Sequence, residues 1–273
     1  MSIKAATSPT CDIEGFIRAI NQPNVKAVIY FFSGEYERLE PHKAIKRAFP
    51  QAACIGASMI GGWSTAGASE KGIVGISLSS DEVAEAFISL QEGVKRNPVL
   101  TVEKVIRDLK QKLGHRTLYP DAYLGIVVFD GLCRGEDVIK RFTLEDDFNL
   151  DLVGGAAADE LQFKKTLVSA DDKCSDDGVA VVVLNMKIPF YCNHYVHYIP
   201  TDTSFTVTKA EPFKRIVWEI NDQNAADYYA KIIHVSGPEK FSPSLFAKNP
   251  VGIVMGDTVY ARALDIVIPG PGL

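Results

Sequence analysis

The sequence predicts an α/β protein made of two sequence-related α/β repeats with mixed sheets and flanking helices, followed by the start of a β-rich C-terminal subdomain. Three observations predict it. Apolar runs of strand length alternate with amphipathic helical stretches, as in "VKAVIYFFSG" followed by "LEPHKAIKRAFP", the pattern of strands buried on both faces. The whole series occurs twice in the same order. Two glycine-rich exits, "AACIGASMIGGWSTAG" at 52–67 and "DLVGGAAADELQF" at 151–163, sit at matching points of the copies.

Each element has a local reason. "CDIEGFIRAI" has helical spacing and makes a short lead-in helix. "VKAVIYFFSG" is a buried strand. In "LEPHKAIKRAFP", Pro41 suits a first helical turn, Ala44, Ile45, Ala48 and Phe49 share a face, and Pro50 stops the helix. "AACIGAS" and "KGIVGISLSS" are the second and third strands. "TVEKVIRDLKQKLG" is an amphipathic helix with Val102, Val105, Ile106 and Leu109 on one face and Gly114 as its exit. "AYLGIVVFDG", "EDVIKRF", "LVGGAAADE" and "DGVAVVVLNM" then repeat strand, helix, strand with loop, and strand. Further on, "TSFTVTKAEPF" reads as a half-exposed strand, and "VWEINDQNAADYYAKII" as a strand, a turn and a short helix with Trp218, Ile220, Tyr228, Tyr229 and Ile232 as core or subdomain-interface residues.

The spacing supports duplication. Gly34 and Gly131 stand 97 residues apart, Gly56 and Gly154 98, and Gly72 and Gly178 106, so the later copy holds about eight more residues before its third strand. Repeats that each bury one sheet face are expected to pair about a pseudo-twofold axis. Loops at the carboxyl ends of buried strands are the usual ligand sites of α/β sheets. The expected cleft is bordered by "FSGE", "IGASMIGG", "FDGL" and "VGGAAADE", placing Ser33, Gly34, Gly56, Ala57, Ser58, Gly61, Asp130, Gly131, Gly154 and Gly155 at a small-molecule site.

Composition narrows the function. With 273 residues, 47% hydrophobic and 23% charged, the chain can form a large core without staples. A net charge of −5 and the absence of a basic stripe argue against nucleic acid. No run of about 20 apolar residues and no signal-like N-terminus occur, so a cytoplasmic protein without a membrane partner is expected. Five cysteines without CxxC spacing suit free thiols.

The glycines permit close backbone approach and could present N–H groups to an anion; equally, they allow tight turns and packing between copies. Neither loop has a nucleotide-binding motif, and no cofactor is expected. Cys192, His194 and His197 in "FYCNHYVHYIP" invite a metal reading, but in a strand His197 faces away from the other two, so packing is the better reading and no metal is expected. Ser33, Ser58 and Cys133 are nucleophile candidates for a rival hydrolase or transferase at the same cleft; none lies in GxSxG and no histidine spacing marks a base. A purely structural module, its cleft filled by side chains, is a third reading.

Taken together, "VVFDGL", "LVGGAAADELQFKKTLV", "DDGVAVVVL" and "PTDTSFTVTKAEPFKRIVWEINDQNAADYY" resemble the FIST domain family, a prokaryotic sensory module. The resemblance covers roughly residues 25–265 and departs at Gly62, Gln223 and Ala225. It implies a FIST N-type region over 1–190, with repeats at about 25–95 and 120–190, and an incomplete FIST C-type region over 191–273. It also implies a small ligand such as an amino acid or related carboxylate, a signalling protein partner in trans, no established catalytic residues, and room for homo-oligomers. Two more positions come with it. Asp159 matches an acidic family position and could accept hydrogen bonds from a ligand amine, or cap its own segment. Arg262 in "TVYARALD" matches a family arginine and could bind a carboxylate, or be an edge-strand residue with its head in water.

Overall fold

The computed structural model describes residues 3–264 except 65, 66, 70, 146, 147, 149, 161, 194–197, 238–240, 257 and 263. The chain divides into two units, Met1–Cys192 and Asn193–Leu273. No described helix is long and apolar enough to cross a membrane.

The first unit runs β1 (Lys4–Ser8), α1 (Ile13–Ile20), β2 (Val25–Phe32), α2 (Pro41–Ala48), β3 (Ala53–Ser58), β4 (Gly62–Ser64), β5 (Gly67–Ser69) and β6 (Ile73–Ser79). The series then recurs as β7 (Val83–Glu92), α3 (Pro98–Leu113), β8 (Tyr123–Phe129), α4 (Gly135–Thr143), β9 (Asp151–Ala156), β10 (Val168–Ala170), β11 (Lys173–Ser175) and β12 (Gly178–Met186). The expected strands and helices of both copies are present. Strands β1, β4, β5, β7, β10 and β11 are additions to the sequence reading.

Two mixed sheets result. One has the order β1-β6-β2-β3-β10-β11, the other β7-β12-β8-β9. Their first four strands correspond one to one. β1 and β6, and β6 and β2, are antiparallel while β2 and β3 are parallel; β7, β12, β8 and β9 repeat those directions. The sheets differ in one respect. Hairpin β10–β11 belongs in sequence to the later half, yet β10 pairs with β3 of the earlier one, Ser169 opposite Gly56.

Side-chain parity explains the packing. Along β2, Ala27 and Ile29 join Ile55, Leu78, Ile126, Val128, Val182 and Leu184 in a core between the sheets. Val28, Tyr30 and Phe32, one residue out of phase, meet Phe16, Ile20 and Ile45 from α1 and α2 on the outer face. In the second sheet, Val127, Phe129, Val179, Val181 and Val183 meet Val102, Val105, Leu109 and Phe142 from α3 and α4. The architecture is therefore helices, sheet, sheet, helices. Local signals fix the helix ends: Asp12 accepts from the Gly15 amide at 2.7 Å, Asn97 from the Leu100 amide at 3.0 Å, and Gly114, at φ +63°, ends α3.

In the second unit, β13 (Val207–Glu211), β14 (Ile216–Ile220) and β15 (Gln223–Asn224) form a small sheet beside α5 (Ala225–Ile232). α6 (Pro243–Lys248) and a hairpin of β16 (Val251–Met255) and β17 (Thr258–Arg262) follow. Ile220, Ala226, Tyr229 and Phe246 make its core.

A buried side-chain hydrogen bond reinforces the crossing of β10. The Tyr30 ring lies across Gly56, where any Cβ would overlap it, and its hydroxyl meets the Ser169 hydroxyl at 2.7 Å. Tyr30→Phe strands a buried hydroxyl and is expected to cost about 1–3 kcal/mol in denaturant melts. Gly56→Ala, which forces the ring aside, is expected to cost more.

Candidate functional site

Parallel pairs β2/β3 and β8/β9 end at the same edge of the sandwich, so all four glycine-rich exits meet there. They meet as a stitched seam. The Met59 amide donates to the Phe32 carbonyl at 2.8 Å, and the Ala157 amide to the Phe129 carbonyl at 2.8 Å, closing each half. Ser58 joins the halves: its carbonyl accepts from the Ala158 amide at 3.0 Å, its amide donates to the Leu167 carbonyl at 2.8 Å, and its Oγ accepts from the Leu167 amide at 2.9 Å. Ser33 is fully buried, and its Oγ accepts from the Gly72 amide at 2.9 Å.

Asp130 is the charged centre of the seam and is fully buried. One carboxylate oxygen accepts from the Leu132 amide at 3.0 Å and from the Thr166 hydroxyl; the other lies 3.1 Å from Lys95 Nζ. Thr166 Oγ1 also accepts from the Gly131 amide at 3.0 Å. A buried carboxylate needs such partners, because desolvation alone costs several kcal/mol. Gly131 is demanded by space, since a Cβ there would strike the Ala157 carbonyl. Gly154, at φ +152°, sits against the Val127 carbonyl for the same reason.

The remaining sequence candidates fall into distinct settings. Ala57 faces the inter-sheet core. Gly61 and Gly155 are at the surface, and Gly34 lies beside the Glu160 carboxylate. Asp159 is committed to its own loop: its carboxylate accepts from the amides of Phe163 at 2.9 Å, Lys164 at 2.5 Å and Lys165 at 2.9 Å. Burial opposes ionisation there, but these N–H donors prevail and hold the Asp159 carboxyl below its ordinary value. Arg262 lies in the second unit, exposed, with Nη1 donating to the Ala261 carbonyl at 3.0 Å. His194 and His197 fall outside the described residues; Cys192 alone of that trio is described. Among the described residues, neither Ser33, Ser58 nor Cys133 hydrogen-bonds a histidine, and burial with nearby Asp130 pushes the Cys133 thiol up to about 11.

Beside the seam lies a groove of about 910 Å³, within the range of about 300–1,000 Å³ usual for small-molecule sites. Phe32 and Leu167, both buried, supply apolar surface to it. The exits after β2 and β9 wall it and are bridged by an ion pair, Glu37 to Lys165, at 2.5 Å. His42, in the first turn of α2, lines the groove with only 9% exposure. Burial, opposed by Glu40, lowers its pKa and favours the neutral ring. α2 itself starts without a side-chain cap. Sequence reading missed this groove because its far wall is the β10–β11 hairpin, placed there by the crossing.

A two-sheet α/β sandwich with a polar groove at the carboxyl ends of its parallel strands is a small-molecule-binding architecture. Residues 26–223 match the FIST N domain, and the chain belongs to the FIST family, a sensory type of domain that binds small ligands. It is also 28% identical over 161 residues to an uncharacterized protein of Methanocaldococcus jannaschii, the match covering 57% of this chain and 30% of that relative.

Two variants test the seam. Gly131→Ala is expected to destabilise the protein by about 1–3 kcal/mol, because the obstacle is backbone. Asp159→Asn is expected to lose about 1 kcal/mol at pH 7. Since the folded carboxyl titrates below its unfolded value, that deficit should shrink as pH falls below about 4, which thermal melts across pH will show.

Proposed function

We propose that this chain senses a small polar metabolite, an amino acid or a related carboxylate, and relays its occupancy to a signalling protein in trans. The observation that carries the reading is the groove, because its walls come from the exits of both halves, joined by Glu37 and Lys165. In this reading the halves are related by a pseudo-twofold axis and the protein acts in the cytoplasm, alone or as a homo-oligomer.

The mechanism is a population shift. A ligand that contacts both exits favours the arrangement in which they are drawn together, and a partner that recognises that arrangement gains affinity by the same factor. The Asp159 turn serves this by fixing where Lys165 leaves the backbone. The hydrolase reading has no supporting geometry, since the hydroxyls of Ser33 and Ser58 are engaged with backbone amides.

Thermal shift of the full chain against amino acids and short carboxylates tests the reading. A true ligand at 100 times its dissociation constant should stabilise the fold by about 2.7 kcal/mol. Lys165→Ala should reduce that shift without lowering the melting temperature of the free protein. No shift across the panel would overturn the sensory reading of this groove.

A further inference from the structure

The two sheets treat equivalent strands differently. β3 and β9 hold the same place, each parallel to its neighbour and ending at Ser58 and Ala156 respectively. Every residue of β3 is buried, while none of β9 is. The difference is β10, which covers the outer edge of β3; β9 ends its own sheet. The Ala157 amide donates inward to the Phe129 carbonyl, so strand alternation turns the N–H and C=O groups of Leu152 and Ala156 outward. Among the described residues these groups have no backbone partner. An exposed edge without lysine or proline is a template for strand addition, and β9, "DLVGGA", has neither.

The first sheet shows what such an edge accepts. At one end of β3 the Ser58 amide donates to the Leu167 carbonyl at 2.8 Å. At the other, the Asp171 amide donates to the Cys54 carbonyl at 2.7 Å, and the Asp171 carboxylate accepts from the Cys54 amide at 3.1 Å. That carboxylate also meets Lys46 of α2 at 3.0 Å. The helices match in "AIKR" at 44–47 and "VIKR" at 138–141, which gives Lys140 in α4 the position of Lys46 in α2. Lys140 is exposed, and among the described residues its ammonium has no salt bridge or hydrogen bond. The second half thus offers the lysine without the acid. Asp151 does not supply it, because its side chain has the parity of Val153, which packs toward the other sheet, while Leu152 packs on the helix side.

We propose that the free edge of β9 is where the signalling partner docks, by adding an antiparallel strand that ends in an acidic residue. Leu152 and Ala156 pair with its backbone, and Lys140 receives its carboxylate as Lys46 receives Asp171. The exit that carries Lys165 to the groove begins directly after β9, so docking and ligand occupancy bear on one segment. Naming the occupant as the signalling partner rests on the sensory reading above; the open edge does not.

Fluorescence anisotropy of the full chain with a labelled, end-capped peptide of residues 165–172, "KTLVSADD", is the test. The peptide should bind with a dissociation constant below about 1 mM. Ala156→Pro puts a ring where the outward N–H stands, which an edge strand tolerates, and should weaken binding at least about tenfold. Lys140→Glu should weaken it about fivefold or more, and should bind the Asp171→Lys form of the peptide better than wild type does. Both variants should keep the wild-type melting temperature; if Ala156→Pro lowers it, the charge swap at Lys140 decides. No binding in that range, or wild-type affinity in both variants, would overturn the proposal. So would a dimer of the free chain that Ala156→Pro dissociates, since a second copy would then be the occupant. If the peptide binds while no metabolite shifts the melting temperature, the docking edge stands and the sensory reading falls. The reverse result keeps the sensory reading and removes the docking edge.

Discussion

Burial of the two sheets against each other is the constraint on which the rest of the first unit depends. Each central strand must be apolar on both parities, one for the opposing sheet and one for a helix layer. Val182 and Leu184 serve the inner core while Val181 and Val183 of the same strand serve the outer one. Such a strand cannot expose a polar face, so polar chemistry is displaced to strand ends. Because β2/β3 and β8/β9 are each parallel pairs, their carboxyl ends gather four loops at one edge. The location of the seam and its groove follows from that arrangement.

The halves are tied by more than apolar contact. The segment after β9 crosses to the first sheet, and every step of the crossing is fastened: Ala158 and Leu167 to Ser58, Thr166 to Asp130, Ser169 to Tyr30. One oxygen of the buried Asp130 accepts from Leu132 and Thr166, and the other faces Lys95 at 3.1 Å. The groove beside these loops is thus bordered by backbone that both halves hold in place, with the Glu37–Lys165 pair at its rim.

The sites expected from sequence have been redistributed, and the physical reasons are specific. Glycines 56, 131 and 154 are required by close approach to the Tyr30 ring, the Ala157 carbonyl and the Val127 carbonyl respectively. Asp159 uses its carboxylate to order the turn that carries Lys165. The charged groups of the groove come from segments that carry no motif. "SADDKCSDD" reads as a polar turn, and nothing in it announces that Asp172 and Asp176 will line a groove together with His42 and Phe32.

Local pattern in the sequence sufficed for the order of strands and helices, the exit of α3 at Gly114, and the glycine exits, since each depends on neighbours within a turn or a strand. The similar offsets of 97 and 98 residues between the glycine exits are likewise legible in a linear string. Tertiary structure alone decided that β7 would pair with β12, that β10 would pair with β3, and that Tyr30 would find Ser169. Those choices join residues about 100 or more positions apart in most cases and rest on side-chain fit between distant surfaces, for which local periodicity carries no signal. The groove is a product of those pairings, so it became visible only once the chain had closed on itself.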